Sequence, residues 1–389
     1  MKWLKFKKTS FKIPNLVKKG TKRKKRVVLK KQKKERDYLL ILAVIFLSLF
    51  GLLMIFEAST VSAYQEFGDK YYFVKEQSKW LGIGIIALLV FSFLDYHRLY
   101  NLAVPLLFST ICLLGAVFIP GIGIKVKGAS RWLNLRIFSF QPAELAKLIL
   151  TVYLSAWFSS KEKSRLIAFL FLLSIILGLV VLEPDLGTTV IIAATAMILY
   201  FVSENPISHF FLLIPLGFFS FLGLALISPY RFKRLVTFFD PSTDPQGASY
   251  HIRQILLALG SGGLTGIGVG KSRQKYLFLP EATTDSIFAI IGEEFGFFGA
   301  FILILLFLFI IYRGFSIAKR APDRFGRFLA VGITAGFAIQ VIINLSAMVV
   351  LLPLTGAPLP LLSYGGSSLL ITFVGMGILF NISRQRVSR

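Results

Sequence analysis

Charge is scarce in this chain. Only 16% of its 389 residues are Asp, Glu, Lys or Arg, while 55% are hydrophobic. A soluble domain carries about 25% charged residues. Together with a mean hydropathy of +0.73, the shortage excludes an ordinary water-soluble globule and makes a bilayer the solvent. Cysteine is almost absent: Cys112, the single one, lies inside an apolar run and excludes an intrachain disulfide or a cysteine zinc site. The three histidines, His97, His209 and His251, are scattered and form no pair at metal-ligand spacing. Acid is scarcer than base, 19 against 44, but the imbalance is local. Residues 1–36 hold seventeen Lys/Arg against one acid, Glu35, so most of the formal net charge of +25 belongs to one tail.

That tail reads as a disordered segment that keeps the N-terminus in the cytoplasm. Attraction to anionic membrane lipids is a second reading. Nucleic acid is not an expected partner, because no recognition fold or interleaved aromatics accompany the charge. A cleaved signal peptide is disfavoured, since the first apolar run is long enough to span and no clear small-residue cleavage site follows.

A spanning helix needs about 20 apolar residues. Runs suited to this occur at 38–56, 79–94, 102–119, 143–159, 166–182, 186–202, 209–227, 286–312, 328–352 and 368–382. The expected fold is therefore all-α: a multi-pass membrane protein of about ten transmembrane helices, with both termini cytoplasmic. The expected layout is a basic tail at 1–37, a membrane domain at 38–383 with a large extracytoplasmic loop at 228–284, and a short basic end at 384–389. Lys/Arg in the tail, Arg98, the 161–165 turn, the 313–327 loop and the 384–389 end fall on one side, as the positive-inside rule requires. The 57–76 segment, with more acids than bases, falls outside.

Two outer segments run against that rule. Residues 120–141 carry Lys125, Lys127, Arg131 and Arg136 and no acid. The long segment at 228–284 carries Arg231, Lys233, Arg234, Arg253, Lys271, Arg273 and Lys275. Cations kept outside against the topogenic preference point to an anionic ligand there. Within the long segment, 250–259 places Ile252, Ile255, Leu256 and Leu259 on one helical face and reads as an interfacial amphipathic helix. Residues 266–272 (GIGVGKS) superficially resemble a phosphate loop. The motif requires Gly five residues before its Gly-Lys-Ser, where Thr265 stands, and no strand precedes it.

Charges at the membrane edge are the better guide, because an unpaired charge inside a bilayer costs about 2.5 kcal/mol or more. Glu144 and Lys147 lie one turn apart early in the fourth helix, as an intrahelical pair would. Glu183 and Asp185 flank Pro184 between the fifth and sixth helices. Glu293 and Glu294 enter the eighth helix and want a cation, for which Lys147 is one candidate. The 279–285 segment, containing Glu281 and Asp285, leads into that helix. Thr284 or Asp285 suits a helix cap, and Asp285 equally suits a general base facing a cationic groove. Residues 359–368, with Ser363, Tyr364, Gly365, Gly366 and Ser367, form an uncharged, hydroxyl-rich turn. Its backbone can approach a sugar or phosphate, or it can be a tight loop with a Ser cap.

These segments resemble the SEDS family of cell-wall polymerases. The resemblance is carried by Gly128-Ala129-Ser130-Arg131-Trp132, Gln141-Pro142-Ala143-Glu144-Leu145-Ala146-Lys147 and Glu183-Pro184-Asp185-Leu186-Gly187. It continues through Asp244-Pro245-Gln246-Gly247, Ser272-Arg273-Gln274-Lys275, Leu279 to Asp285 with Gly292-Glu293-Glu294, and Ser363 to Ser368. The order is the family's and the match covers nearly everything after the tail. The 272–275 and 292–294 segments look more like the division branch, FtsW, than the elongation branch, RodA.

The resemblance implies a peptidoglycan glycosyltransferase, multi-pass in the bacterial cytoplasmic (inner) membrane, that polymerises lipid II on its outer face. It also implies a class B penicillin-binding protein as transpeptidase partner, together with other division proteins. Asp285 is then the catalytic acid–base residue. The implied substrate-binding set is Lys127, Arg131, Trp132, Glu144, Lys147, Arg273, Lys275, Glu281 and Ser363 through Ser367. A divalent cation, Mg or Mn, can share the pyrophosphate role, although no metal cluster stands out. Two positions depart from the family pattern, which has His before Thr-Asp and Phe after it. Here Thr283 and Ser286 stand there. The competing readings are a lipid II flippase using Glu144, Glu183, Asp185 and Glu293, a RodA-like elongation polymerase, and a non-catalytic scaffold.

Overall fold

The computed structural model describes residues 37–126, 129–134, 138–160, 166–227, 229–240 and 247–385. Lys127 and Arg136, both in the cationic outer loop, lie outside the described residues, as do Gly128, residues 244–246 and the tail at 1–36.

Helices α1 (Tyr38–Phe67), α2 (Tyr72–Phe93) and α3 (His97–Ala116) follow one another with short turns. A three-stranded antiparallel sheet comes next: β1 (Gly123–Val126), β2 (Ala129–Asn134) and β3 (Ser139–Phe140). Then come α4 (Pro142–Ser159), α5 (Leu166–Leu182), α6 (Leu186–Val202) and α7 (Phe210–Ile227). Two further helices, α8 (Pro229–Phe239) and α9 (Ala248–Gly262), occupy the long outer segment. Helices α10 (Ile287–Lys319), α11 (Arg324–Met348) and α12 (Gly366–Arg384) complete the chain.

Seven of the described helices are long and apolar enough to cross a membrane, and α5 and α6 are shorter apolar helices. With α4, whose first turns carry the buried Glu144 and the part-buried Lys147, they make the expected set of ten. Lipid-facing side chains remain exposed on α1, α2, α3, α7 and α10, whereas α11 and α12 are mostly buried and form the centre of the bundle. Small residues let these helices meet closely: a Cβ on Gly332 of α11 would sit 2.4 Å from Thr151 of α4. Such contacts suit a bundle in which water exclusion supplies no force between helices and close packing must do so.

The structure corrects several expectations. Helix α1 continues to Phe67, so Glu57 is a helical residue and not the start of an outer loop. Thirty residues at 1.5 Å each exceed a hydrocarbon core of about 30 Å, so α1 emerges from the membrane as helix. Asp37 belongs to the fold and not to the tail: it caps α1 through Leu40 N and pairs with Arg313 at 2.6 Å. The outer loop after α3 is a hairpin in which Ile124 faces Trp132 and Lys125 faces Ser130. Helix α9 buries Ile252, Ile255 and Ala258 and packs against α10. Leu256, assigned to the apolar face, is 49% exposed, because the docked stripe runs 252–255–258 and position 256 flanks it.

Helix α10 is interrupted at Gly296 (φ 66°, ψ −165°). The break releases the carbonyls of Glu293 and Glu294, which accept from Ile267 N and Gly268 N at 3.1 Å each. In exchange, Phe297 N and Phe298 N donate to the carbonyls of Gly263 and Leu264. The glycine-rich 263–270 segment is thus a partner strand for a broken helix. Its N–H groups at 267 and 268 are held there and do not cradle a phosphate.

Candidate active site

The loops expected outside gather at one end of the bundle. There the quoted motifs meet through specific hydrogen bonds. Gln141, just before α4, donates from Nε2 to Asp185 Oδ2 at 3.0 Å and from its backbone N to Ser367 Oγ at 3.1 Å. One residue therefore ties the 183–187 turn to the 363–368 turn. Asp185 in turn caps α6 through Thr188 N at 3.0 Å. The irregular 353–361 strap crosses this hub. Gly187 approaches it so closely that a Cβ would lie 3.1 Å from Thr355 O.

Glu144 and Lys147 do form the intrahelical pair, at 2.8 Å. Lys147 Nζ also donates to Gln340 Oε1 at 2.7 Å, and Gln340 Nε2 donates to Pro358 O at 2.9 Å. Lys147 is therefore not the partner of Glu293 or Glu294. A cavity of ≈ 70 Å³ lies beside this chain of contacts, lined by Glu144, Lys147, Thr151, Thr195 and Gln340 among others.

Asp285 sits in the turn before α10 and is 8% exposed. Its backbone carbonyl accepts from Asn344 Nδ2 at 2.9 Å, and the same amide bridges to Ala357 O at 2.9 Å. Thr283, two residues earlier, accepts from Tyr364 N at 2.8 Å. The Asp285 turn is thus clamped between α11 and the 363–368 turn. Gly356 (φ 72°) passes over it, with a Cβ position 3.9 Å from Asp285 Oδ2. Thr284 Oγ1 lies 3.0 Å from Asp285 Oδ1 and 3.1 Å from Glu281 Oε2. Burial pushes the Asp285 carboxyl up to about 6, helped by the nearby Glu281 and opposed by the Thr284 hydroxyl and Arg234. Glu281 itself is exposed, in a left-handed turn (φ 51°).

Three guanidiniums border this end. Arg131 on β2 donates through Nε to Glu183 O at 3.0 Å and through its terminal nitrogen to Pro184 O. Arg231 on α8 donates to Val181 O at 3.0 Å. Arg234, one turn on, donates to Leu354 O at 2.8 Å. Arg231 docks on a last-turn carbonyl of α5 and Arg131 on the two carbonyls just beyond that helix, and Arg231 feels the charge of Arg131. The Glu183 side chain beneath them is fully buried, with neither oxygen hydrogen-bonded. Burial, then Asp185, push its carboxyl up to about 8 against the pull of Arg131. Trp132, beside Arg131, is half-buried and paired across the hairpin with Ile124.

The hydroxyl-rich turn is tightly built. Ser363 Oγ accepts from Leu359 N at 2.8 Å, and Gly365 N donates to Gln77 Oε1 at 3.2 Å. Gly366 is required by packing, since a Cβ would lie 2.2 Å from the Trp80 ring. Ser363 and Ser367 are buried and already bonded, so the Ser cap and tight-loop reading describes their hydrogen bonds.

Lys275 and Arg273 belong to a different cluster. Lys275 is 8% exposed and donates to Glu57 Oε2 at 3.0 Å, Gly270 O at 2.6 Å and Glu294 Oε1 at 3.5 Å. An ammonium has three donors, and here all are occupied. Lys275 is therefore a structural cation, which corrects its assignment to an anionic substrate. Arg273 is exposed, and its backbone N caps Glu293 Oε1 at 3.1 Å, with Ser272 Oγ bonded to the same carboxylate. Sequence reasoning placed Arg231 and Arg234 among the outer cations but outside the site. It also missed Gln340, Asn344 and His251, which carry no motif and are brought in only by the fold. Among the described residues no three His, Cys, Asp or Glu side chains gather as a metal site; Arg234 is the cation that acts on the Asp285 carboxyl.

A model of the FtsW/RodA/SpoVE family, described as a cell cycle protein, matches residues 37–388. Stage V sporulation protein E of Bacillus subtilis is 40% identical over 359 residues, covering 91% of this chain and 98% of that protein. An FtsW of Trichlorobacter lovleyi, named as a probable peptidoglycan glycosyltransferase, is 41% identical over 359 residues, covering 90% and 93%. Among solved structures, a chain from a peptidoglycan synthase complex that coordinates polymerization and crosslinking superposes with a TM-score of 0.75. It is 29% identical and covers 90% of this chain and 98% of that one.

Proposed function

The chain belongs to the FtsW/RodA/SpoVE family of cell cycle proteins, and from that membership we propose that it polymerises lipid II into glycan strands at the outer face of the bacterial cytoplasmic membrane. It is a multi-pass membrane glycosyltransferase, and its relatives include sporulation and division proteins. Septal wall synthesis is its proposed setting, with a class B penicillin-binding protein as the transpeptidase partner. A complex of the kind its structural relative forms supports that pairing.

One observation carries the catalytic reading. Asp285 is a buried carboxylate raised to about 6, held at the outer end of the bundle beside Arg234 and the 353–361 strap. A base poised near working pH is both ionised in use and strong enough to take a proton. Asp285 accepts the proton of the acceptor sugar hydroxyl as that oxygen attacks the anomeric carbon of the donor from the opposite face. The bond from the anomeric carbon to the phosphate oxygen breaks, and polyprenyl pyrophosphate leaves with inversion. Arg131, Arg231 and Arg234 stabilise the charge that develops on it. Their carbonyl contacts fix the guanidinium planes beforehand, which is the condition for electrostatic stabilisation without reorganisation. Glu144, Lys147 and Gln340 hold the strap that covers Asp285 and act on position.

The test uses purified full-length protein with its partner, reconstituted in liposomes with labelled lipid II and no other synthase. Glycan ladders support the proposal. Lipid II crossing the bilayer without polymer would favour a flippase and contradict it.

A further inference from the structure

His251 lies on α9, 34 residues from Asp285 in sequence, yet it touches the Asp285 turn. Its Nε2 is 2.7 Å from Ser286 Oγ, and Ser286 directly follows Asp285. Burial and Arg234 push the ring down to about 4, against Glu281 and the Pro280 backbone. The imidazole thus stays neutral throughout the working range of Asp285, with one ring nitrogen a donor and the other an acceptor.

From this geometry we propose, on the basis of the catalytic reading of Asp285, that His251 and Ser286 form one positioning unit that ties position 286 to α9 and so holds the Asp285 carboxylate at its reacting angle. Asn344 fixes the backbone at Asp285 from α11, and Tyr364 fixes it at Thr283. His251 is the tether from the α9 side. Without it, the segment containing the left-handed Glu281 can rotate about the two remaining anchors. Ser286 N bonds to Glu281 O at 3.2 Å, which closes the turn but does not attach it to a neighbouring helix.

Polymerisation of labelled lipid II by the purified full-length protein with its partner is measured for Ser286→Ala, His251→Leu, the double variant, Ser286→Thr and Asp285→Ala. Each of the first two is expected to lower kcat about tenfold with an unchanged KM, as a small misplacement of a reacting group does. The double variant loses no more than either single, since both remove the same bond. Ser286→Thr, which keeps the hydroxyl, stays within about twofold of wild type. The acid limb of the pH–rate profile moves by the same amount in both singles. Losses that multiply in the double variant overturn the proposal, as do losses that follow the unfolding temperature or appear only in KM. Wild-type rates in both singles, with Asp285→Ala inactive, overturn this inference alone. Activity in Asp285→Ala overturns the catalytic reading as well.

Discussion

Two carboxylates stand near the start of α10, nine residues apart, and the protein treats them oppositely. Glu294 is met by Lys275 at 3.5 Å and by Ser272 N at 3.3 Å, with Glu57 joining the same ammonium. Asp285 has a threonine hydroxyl on its carboxylate, Arg234 acting through space, and Glu281 pushing its proton affinity upward. Both are buried. The first arrangement stabilises a charge so that a broken helix can keep its shape. The second leaves a carboxyl whose ionisation is unfavourable in the fold, which is what a proton acceptor requires and what a structural residue avoids.

Four substitutions sharpen the contrast. Lys275→Ala leaves Glu294 buried without its cation and should cost about 3–5 kcal/mol of stability, read as a large fall in unfolding temperature. Activity is then lost through the fold, and a variant that kept wild-type stability would break the comparison. Gly296→Ala acts on the same joint, since its Cβ would lie 2.2 Å from Gly266 N at φ 66°. A loss of about 2–4 kcal/mol is expected from overpacking and strain together.

Asp285→Asn should move stability the other way. The native carboxyl titrates near 6 against 3.8 for an ordinary Asp, so a folded-state pKa is raised. Its favourable contribution is full below about 3.8 and is lost as pH rises through 6. The variant is therefore expected to match wild type at low pH and to exceed it by about 1–3 kcal/mol near pH 7.5. Unfolding measured across that range checks the sign. The same sign applies to Glu183, whose raised carboxyl makes Glu183→Gln relatively more stable as pH climbs from 4.5 toward 8.

The smallest effect is in the wild-type rate. As base, Asp285 must be ionised, so polymerisation should fall about tenfold per pH unit below 6 and level off above it. A limb near 4 would indicate a carboxyl in ordinary surroundings.

Much of the membrane architecture was legible in the sequence, because a bilayer leaves helices few alternatives. Helices α5 and α6 have the expected bounds, set by a basic turn and by Glu183-Pro184-Asp185. Helix α1 was cut short at Glu57, because a lone acid there looks like a loop. Its cation, Lys275, is 218 residues away. The hairpin after α3 escaped notice, since strands of four and six residues give little alternation. Within the site, Asp285, Arg131, Glu144 and Lys147 could be picked out by their segments. Lys275 could not be distinguished from Arg231 by charge alone, because only burial and the Glu57 contact decide between them. Ser286 was visible as a departure from the family pattern. What it answers to, His251, was visible only in the fold.

The central claim is that Asp285 performs proton transfer in glycan polymerisation and does not hold the fold. Its most direct test compares wild type and Asp285→Ala for glycan ladders from labelled lipid II, with the unfolding temperature of each measured in the same preparation. Ladders from wild type, a loss of at least about 100-fold in the variant, and an unfolding temperature equal or higher are the predicted result. Ladders of wild-type length from a folded Asp285→Ala protein would contradict it.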